Sequence, residues 1–335
     1  MRCLPPLFLF FTMAAVLQAQ NTTEFFSNGS NEAGWEFQVN APDILETTGG
    51  FGGGWLHNPL ADTGIPVVAT TITPSCYTGD FRALNVSAIQ VSAITVSNQF
   101  GTMGIPMTLV LKDTKGTTDP LDDDFAYRIG SEIPQAGAGW NNEFFVIPSD
   151  DTAPTPLGWS GGWASNDFAF RPGVDWNDVI TNVDRVEIWW GSPGQPAFTQ
   201  IWDVGLDNPR IFVATAVTPR NGSGINPMAL TTTDDPLLGG VWSVDVDLAM
   251  LGTSASFLAV SAQRTSGAIF NGLLIGEVLL LPPLFVEEIS LTGSYSLFIP
   301  PDCALLNGSY TVQAAGLASG VVRLTNALDF TLGSF

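Results

Sequence analysis

Short apolar and polar residues alternate along most of this chain. Residues 85–97 read NVSAIQVSAITVS, with Val86, Ile89, Val91 and Ile94 set among small polar residues. Similar runs cover 107–113, 143–147, 184–190 and 209–217, then 239–248, 256–264, 294–300, 308–317 and 320–328. Between them lie GGFGGG (49–54), GTMG (101–104), DTKGTTDPLDDD (113–124) and GSPGQP (191–196). A period of two, cut by turn residues, predicts many short strands in a sandwich or barrel. One segment has helical spacing: in 174–183, Trp176, Val179, Ile180 and Val183 share a face, and Asp175 stands where a cap belongs. The run GLLIGEVLLLPPLFV (272–286) holds Glu277, Pro282 and Pro283. Prolines break such a run, so it predicts two buried strands joined at the prolines rather than a membrane helix.

Organisation follows from the breaks. Residues 1–20 have a basic start at Arg2, a short apolar stretch and a small residue at Ala19, the layout of a secretory leader. The segment 215–227 is polar and rich in Gly and Pro, which predicts a linker. The expected plan is a leader (1–20), a first β domain (21–214), the linker (215–227) and a C-terminal β module (228–335). After the leader only Cys76 and Cys303 remain, too few for a disulfide framework.

Charge narrows the partners. The formal net charge is -21, with 32 acidic against 11 basic residues. Such a surface repels phosphate backbones and anionic lipids, so nucleic acid and membrane surfaces are set aside. The same reading leaves no membrane insertion once the leader is removed. The expected location is outside the cell or on its surface.

The catalytic motifs fail one by one. GWSGG (158–162) fits the nucleophile-elbow pattern, but an elbow needs a histidine after the serine in an α/β sheet. The only histidine, His57, precedes Ser160 by about a hundred residues. One histidine also excludes two-histidine metal sites and leaves Cys76 without a later base. A glycosidase needs only two carboxylates, so that class survives as the weakest reading, and no residue pair recommends itself. The acidic run DPLDDDF (119–125) offers hard oxygen ligands but lacks EF-hand spacing; a solvated loop is the simpler account.

Tryptophan supplies the binding candidates. Trp159, Trp163, Trp189 and Trp190 lie in a Trp-rich stretch, and an exposed indole can stack on a sugar ring. Neighbours on a strand face opposite ways, so one of Trp189 and Trp190 points to the core and the other outward. Trp159 and Trp163 flank the GWSGGW turn, which reads as a display loop.

Several features in order resemble laminin domain IV, the laminin-B domain, and its bacterial relatives. They are FFSNGSNEAGWEF (25–37), GGFGGGWLHNP (49–59), PSCYTGDFRALNVSAIQVSAITV (74–96), WNDVITNVDRVEIWW (176–190) and GLDNPRI (205–211). The resemblance implies an all-β chain whose first domain is a galactose-binding-like jelly-roll sandwich. The second would be a smaller Ig-like or similar sandwich. It also implies an extracellular, adhesive or matrix role without catalysis. Related jelly rolls hold a structural calcium between first and last strands, which points to Asn28, Asn31 and Asp207. Asp and Asn satisfying backbone groups at a strand start are the simpler and preferred account of Asp207 and Asn208 in LDN. The expectation is a secreted, non-catalytic β-sandwich protein that binds extracellular polysaccharide or a cell-surface protein. The alternative is a dedicated carbohydrate-binding module using exposed Trp.

Overall fold

The computed structural model describes residues 23–27, 29–102, 104–196 and 198–334. The leader-like segment 1–20 and Asn28 lie outside them. In chain order the first strands are β1 (Glu36–Phe37), β2 (Ile44–Glu46), β3 (Trp55–Thr63), β4 (Val67–Ala69), β5 (Val86–Asn98) and β6 (Pro106–Asp113). Then come β7 (Asp124–Glu132), β8 (Asn141–Val146), β9 (Ser160–Trp163), helix α1 (Trp176–Ile180), β10 (Arg185–Trp190) and β11 (Gln200–Val213). They form a six-stranded sheet, β1-β4-β10-β6-β7-β9, and a five-stranded sheet, β2-β3-β11-β5-β8. The two sheets make a β-sandwich.

The alternation in the sequence is what fills this sandwich. Leu109 and Leu111 of β6, Ile188 and Trp190 of β10, Ile89 and Val91 of β5, and Val204 and Leu206 of β11 are all buried in one apolar cluster. Removing that much apolar surface from water is the main stabilising term. Helix α1 starts at a capping box in which Asp175 and Asp178 each satisfy the other's backbone N–H. Its buried Trp176, Val179 and Ile180 are the residues whose spacing predicted it.

The remaining strands are β12 (Ala216–Arg220), β13 (Leu230–Thr231), β14 (Val241–Val246), β15 (Ser256–Asn271), β16 (Leu274–Ser290), β17 (Ser294–Phe298), β18 (Ser309–Ala318) and β19 (Val321–Thr331). Their larger sheet runs β12-β19-β16-β15-β18, and β18 also pairs with β19, so it curls onto itself. A small sheet, β13-β14-β17, packs beside it, with Trp242 of β14 against Phe330 of β19 at 4.4 Å.

Two sequence expectations change here. Residues 216–220, expected within a linker, form an edge strand paired with β19. An edge strand tolerates Pro219, and Arg220 ties it down through Asp329 and the carbonyls of Thr265 and Leu279. The apolar run 272–286 does not split into two strands: β16 passes through Pro282 and Pro283 without a break. The register against β15 shifts opposite them, and Ser261 Oγ donates to Leu281 O. Glu277 within this run lies under Gly222 and Gly267 and accepts from Ser223 N and Oγ, which hold its carboxyl below the usual range.

The two parts touch. Ser334 Oγ donates to Ile211 O and accepts from Val213 N, and Asn307 Nδ2 donates to Ala83 O. Cys76 is disulfide-bonded, and the side chain of Cys303 lies outside what is described.

Candidate functional site

The ten tryptophans sort by burial. Trp159 is 4% exposed, packed on Trp176 at 4.8 Å, and Trp190 is fully buried against Phe37. Neither offers a face to a ligand. The density of tryptophan near 159–190 records core packing, not display. Trp163 and Trp189 are half-buried, but each is already occupied. The Arg171 guanidinium sits 4.9 Å over the Trp163 ring, and Trp189 packs on Val110, Phe125 and Tyr127 while its Nε1 donates to Glu187.

GWSGG is not a display loop. Ser160–Trp163 form the edge strand β9, paired with β7. A Cβ at Gly161 would overlap the Phe170 ring, and one at Gly162 the Phe125 ring, so the glycines are there for aromatic packing. The one histidine lies on the other sheet, which leaves Ser160 without a base.

Trp55 and Trp140 are different. They are half-buried and meet each other, with ring centroids 5.4 Å apart and planes at 89°. Trp55 and His57 alternate outward on β3, while Leu56 and Asn58 between and beyond them are buried. The His57 imidazole stacks on the Trp55 indole at 4.2 Å and 25°. Across the sheet, Gly205 of β11 pairs with His57, and a Cβ there would overlap the Trp55 ring. Only glycine lets the indole lie down on β11.

The rings are fixed by the glycine-rich loop. Trp55 Nε1 donates to Thr48 O and Trp140 Nε1 to Gly49 O, both at 3.2 Å. The loop is anchored from below by Asp207, whose carboxylate accepts from Phe51 N, Gly52 N and Asn208 N. Burial pushes the Asp207 carboxyl up to about 6 against the pull of those N–H groups. Gly50 is needed because a side chain there would strike the same carboxylate.

Beside the rings stands a polar triad. His57 Nε2 lies 2.7 Å from Asp203 Oδ1, and Nδ1 lies 3.2 Å from Glu46 Oε1. Only a doubly protonated imidazole donates to both. The Glu46 side chain is 40% exposed and that of Asp203 23%. The second oxygen of each carboxylate has no hydrogen-bond partner among the described residues. Solvent and solutes can reach both.

Of the three calcium candidates, Asn28 lies outside the described residues, and Asp207 and Asn31 have their polar atoms turned to the chain itself. Both Asp207 oxygens face backbone N–H donors. Asn31 spends its amide on Trp35, accepting from its N and donating to its O. Among the described residues no group of three His, Cys, Asp or Glu could hold a metal ion. The run DPLDDDF is consumed in the same way: Asp119 caps a short turn, Asp123 pairs with Lys112, and Asp124 pairs with Lys115 and Arg171.

A cleft of about 490 Å³ lies between Thr70–Thr73, Thr114–Thr118 and Asp184 on the other sheet. Its hydroxyls are committed: Thr71 Oγ1 donates to Gly34 O, Thr73 Oγ1 to Asp184 O, and Thr114 Oγ1 to the Asp184 carboxylate. The Trp55–Trp140 corner is therefore the better site. Sequence reading missed it, although the aromatics around GGFGGG, Trp55 above all, were visible.

No family model matches the chain, and no curated protein matches it. Among solved structures, it is similar to a conserved carbohydrate esterase from the Shiga toxin-encoding bacteriophage phi24B. That match has 14% identity over 58% of this chain and 99% of the other, with a TM-score of 0.31. It is also similar to the apo β-glucuronidase 3 of Bacteroides uniformis, at 13% identity and a TM-score of 0.16. That match covers 82% of this chain, which spans about a quarter (27%) of the glucuronidase. Fold and site together define an all-β sandwich protein with an aromatic corner on one sheet.

Proposed function

We propose that this chain is an exported, non-catalytic β-sandwich protein that binds extracellular polysaccharide through the Trp55–Trp140 corner. One observation carries the reading. Two perpendicular indoles are held by their N–H groups on the glycine-rich loop, next to carboxylates with open lone pairs. Apolar faces take the C–H surface of a pyranose, and nearby acceptors take its hydroxyls. Glu46 and Asp203 flank one imidazole, and the outer oxygen of each carboxylate is open to a ligand hydroxyl.

Support for the extracellular setting comes from the leader-like segment 1–20 and the resemblance to laminin domain IV over 25–211. We read residues 21–214 as one unit and the strands from β12 onward as a second. The test is affinity electrophoresis of the purified chain through gels cast with plant and microbial polysaccharides. Retardation by at least one polymer, lost in Trp55→Ala and kept in Trp163→Ala, supports the reading. Migration unchanged by every polymer refutes it.

A further inference from the structure

We propose that the Trp55–Trp140 corner selects neutral saccharides and rejects uronate and sulfated ones. The inference rests on the polysaccharide reading above and adds the class of sugar. The polar groups beside the two indoles are Glu46, Asp203 and His57. Protonated, the imidazole leaves the triad one negative charge in excess; neutral, it leaves two. With both carboxylates ionised, the triad is negative in either state of the imidazole. No lysine or arginine pairs with either carboxylate among the described residues. The ion-paired cations Lys112, Lys115, Arg171 and Arg185 serve the other sheet, and Arg220 and Arg264 serve Asp329.

The free oxygens of Glu46 and Asp203 therefore need donors from the ligand. A neutral hexose or pentose supplies hydroxyl donors and keeps an apolar C–H face for the indoles. A uronate or sulfate brings acceptors and negative charge to a place that already has both, and like charges in contact are strongly selected against. The formal net charge of -21 acts in the same direction at long range, but salt screens it, whereas contact repulsion in the corner survives.

The experiment is a binding isotherm of the full chain. The neutral polymers are β-glucan, mannan and arabinoxylan; the acidic ones are polygalacturonate and a sulfated galactan. Each is run at low and at about 0.5 M salt, where the Debye length is only a few ångströms. At least one neutral polymer should bind, Trp55→Ala should weaken it, and every acidic polymer should bind at least about tenfold more weakly at both salt levels. In the double variant Glu46→Gln/Asp203→Asn the gap between neutral and acidic polymers should narrow. Acidic polymers binding as tightly as neutral ones, with the same dependence on Trp55, would overturn the selectivity and leave the site standing. Binding of no polymer would overturn the site itself. The wild-type comparison needs no variant, so it decides the question even where a variant fails to fold.

Discussion

The outer faces of the two sheets are built from the same materials and end differently. On the six-stranded sheet, Glu187 receives Lys112, Arg185 and the Trp189 indole N–H. Asp124 receives Lys115 and Arg171, and Arg171 also covers Trp163. The indoles of Trp163 and Trp189 and the carboxylates of Asp124 and Glu187 there all have partners within the chain. On the five-stranded sheet, two carboxylates share one histidine, and two indoles meet at a right angle, one stacked on that histidine and both held through their N–H groups by the carbonyls of Thr48 and Gly49. Acidic and aromatic residues are thus structural where their needs are met internally, and available for a partner where they are not. Residue type alone does not separate the two cases.

The largest effect should come from the self-satisfied face. Asp124→Asn leaves Lys115 and Arg171 facing a neutral group at a fully buried position. Breaking a fully buried ion pair from one side costs about 3–5 kcal/mol; here both cations are partly exposed and Lys115 keeps Asp113, so the cost falls toward the lower end of that range. Chemical denaturation should show that loss, while polysaccharide binding at the folded state stays unchanged. Altered binding with unaltered stability would reverse the roles assigned to the two faces.

Next is Gly205→Ala. The new methyl must displace the Trp55 ring or the backbone at Leu56, whose carbonyl lies 3.0 Å from its place. Overpacking of this kind costs about 1–3 kcal/mol. Binding should fall with it, because the corner loses its geometry. Trp55→Ala itself should weaken binding by about tenfold or more, equivalent to about 1.4 kcal/mol, with Trp189→Ala as the matched control on the other sheet. Equal losses from Trp55 and Trp189 would show that the two faces do not differ in function.

Much of the fold was legible because period-two alternation has one cause, a strand with one face in the core. Residues 85–97, 107–113 and 184–190 became β5, β6 and β10 with small shifts at their ends. Strand β3 was not legible: WLHNPLADT carries Pro59, Asn58 and Asp62, which read as loop. Strand β7 was hidden because it begins inside an acidic run, where Asp124 is a buried ion-pair partner rather than a solvated charge. The candidate site was hidden for a different reason. Trp55 and Trp140 are 85 residues apart, and nothing local joins them. Their meeting depends on the β3–β11 register, on Gly205, and on a loop held by Asp207 from the far end of the domain. GWSGG misled in the opposite direction, since its glycines answer to the Phe170 and Phe125 rings that a linear reading does not place beside them.

The smallest expected effect is a pH dependence of stability, and its sign follows from two carboxyls near the loop that supports the corner. Burial pushes Glu24 up to about 7 and Asp207 up to about 6. Glu24 accepts from Glu32 N, and the charge of Glu32 adds to the upward push. With folded values above the unfolded ones, the native state binds more protons between about pH 4 and 7. The stability these two groups contribute is therefore complete below about pH 4 and is lost as pH rises through 6 and 7. Glu277 has the opposite sign, since its carboxyl is held down by Ser223 and its contribution is lost as pH falls. That opposing contribution acts only below about pH 4.5, at the acid edge of the range, so the Glu24 and Asp207 terms set the slope above it. Denaturation midpoints measured from pH 4 to 8 should fall between about pH 4 and 7 in the wild type and level off above that. Glu24→Gln should flatten the curve between about pH 5 and 7, and Asp207→Asn between about pH 4 and 6. A curve that rises through this window, unchanged by either variant, would mean that water reaches both carboxyls and that the loop is not anchored by a buried Asp207. The Trp55–Trp140 corner would then lack its support, and the contrast between the two faces would rest on the ion pairs alone.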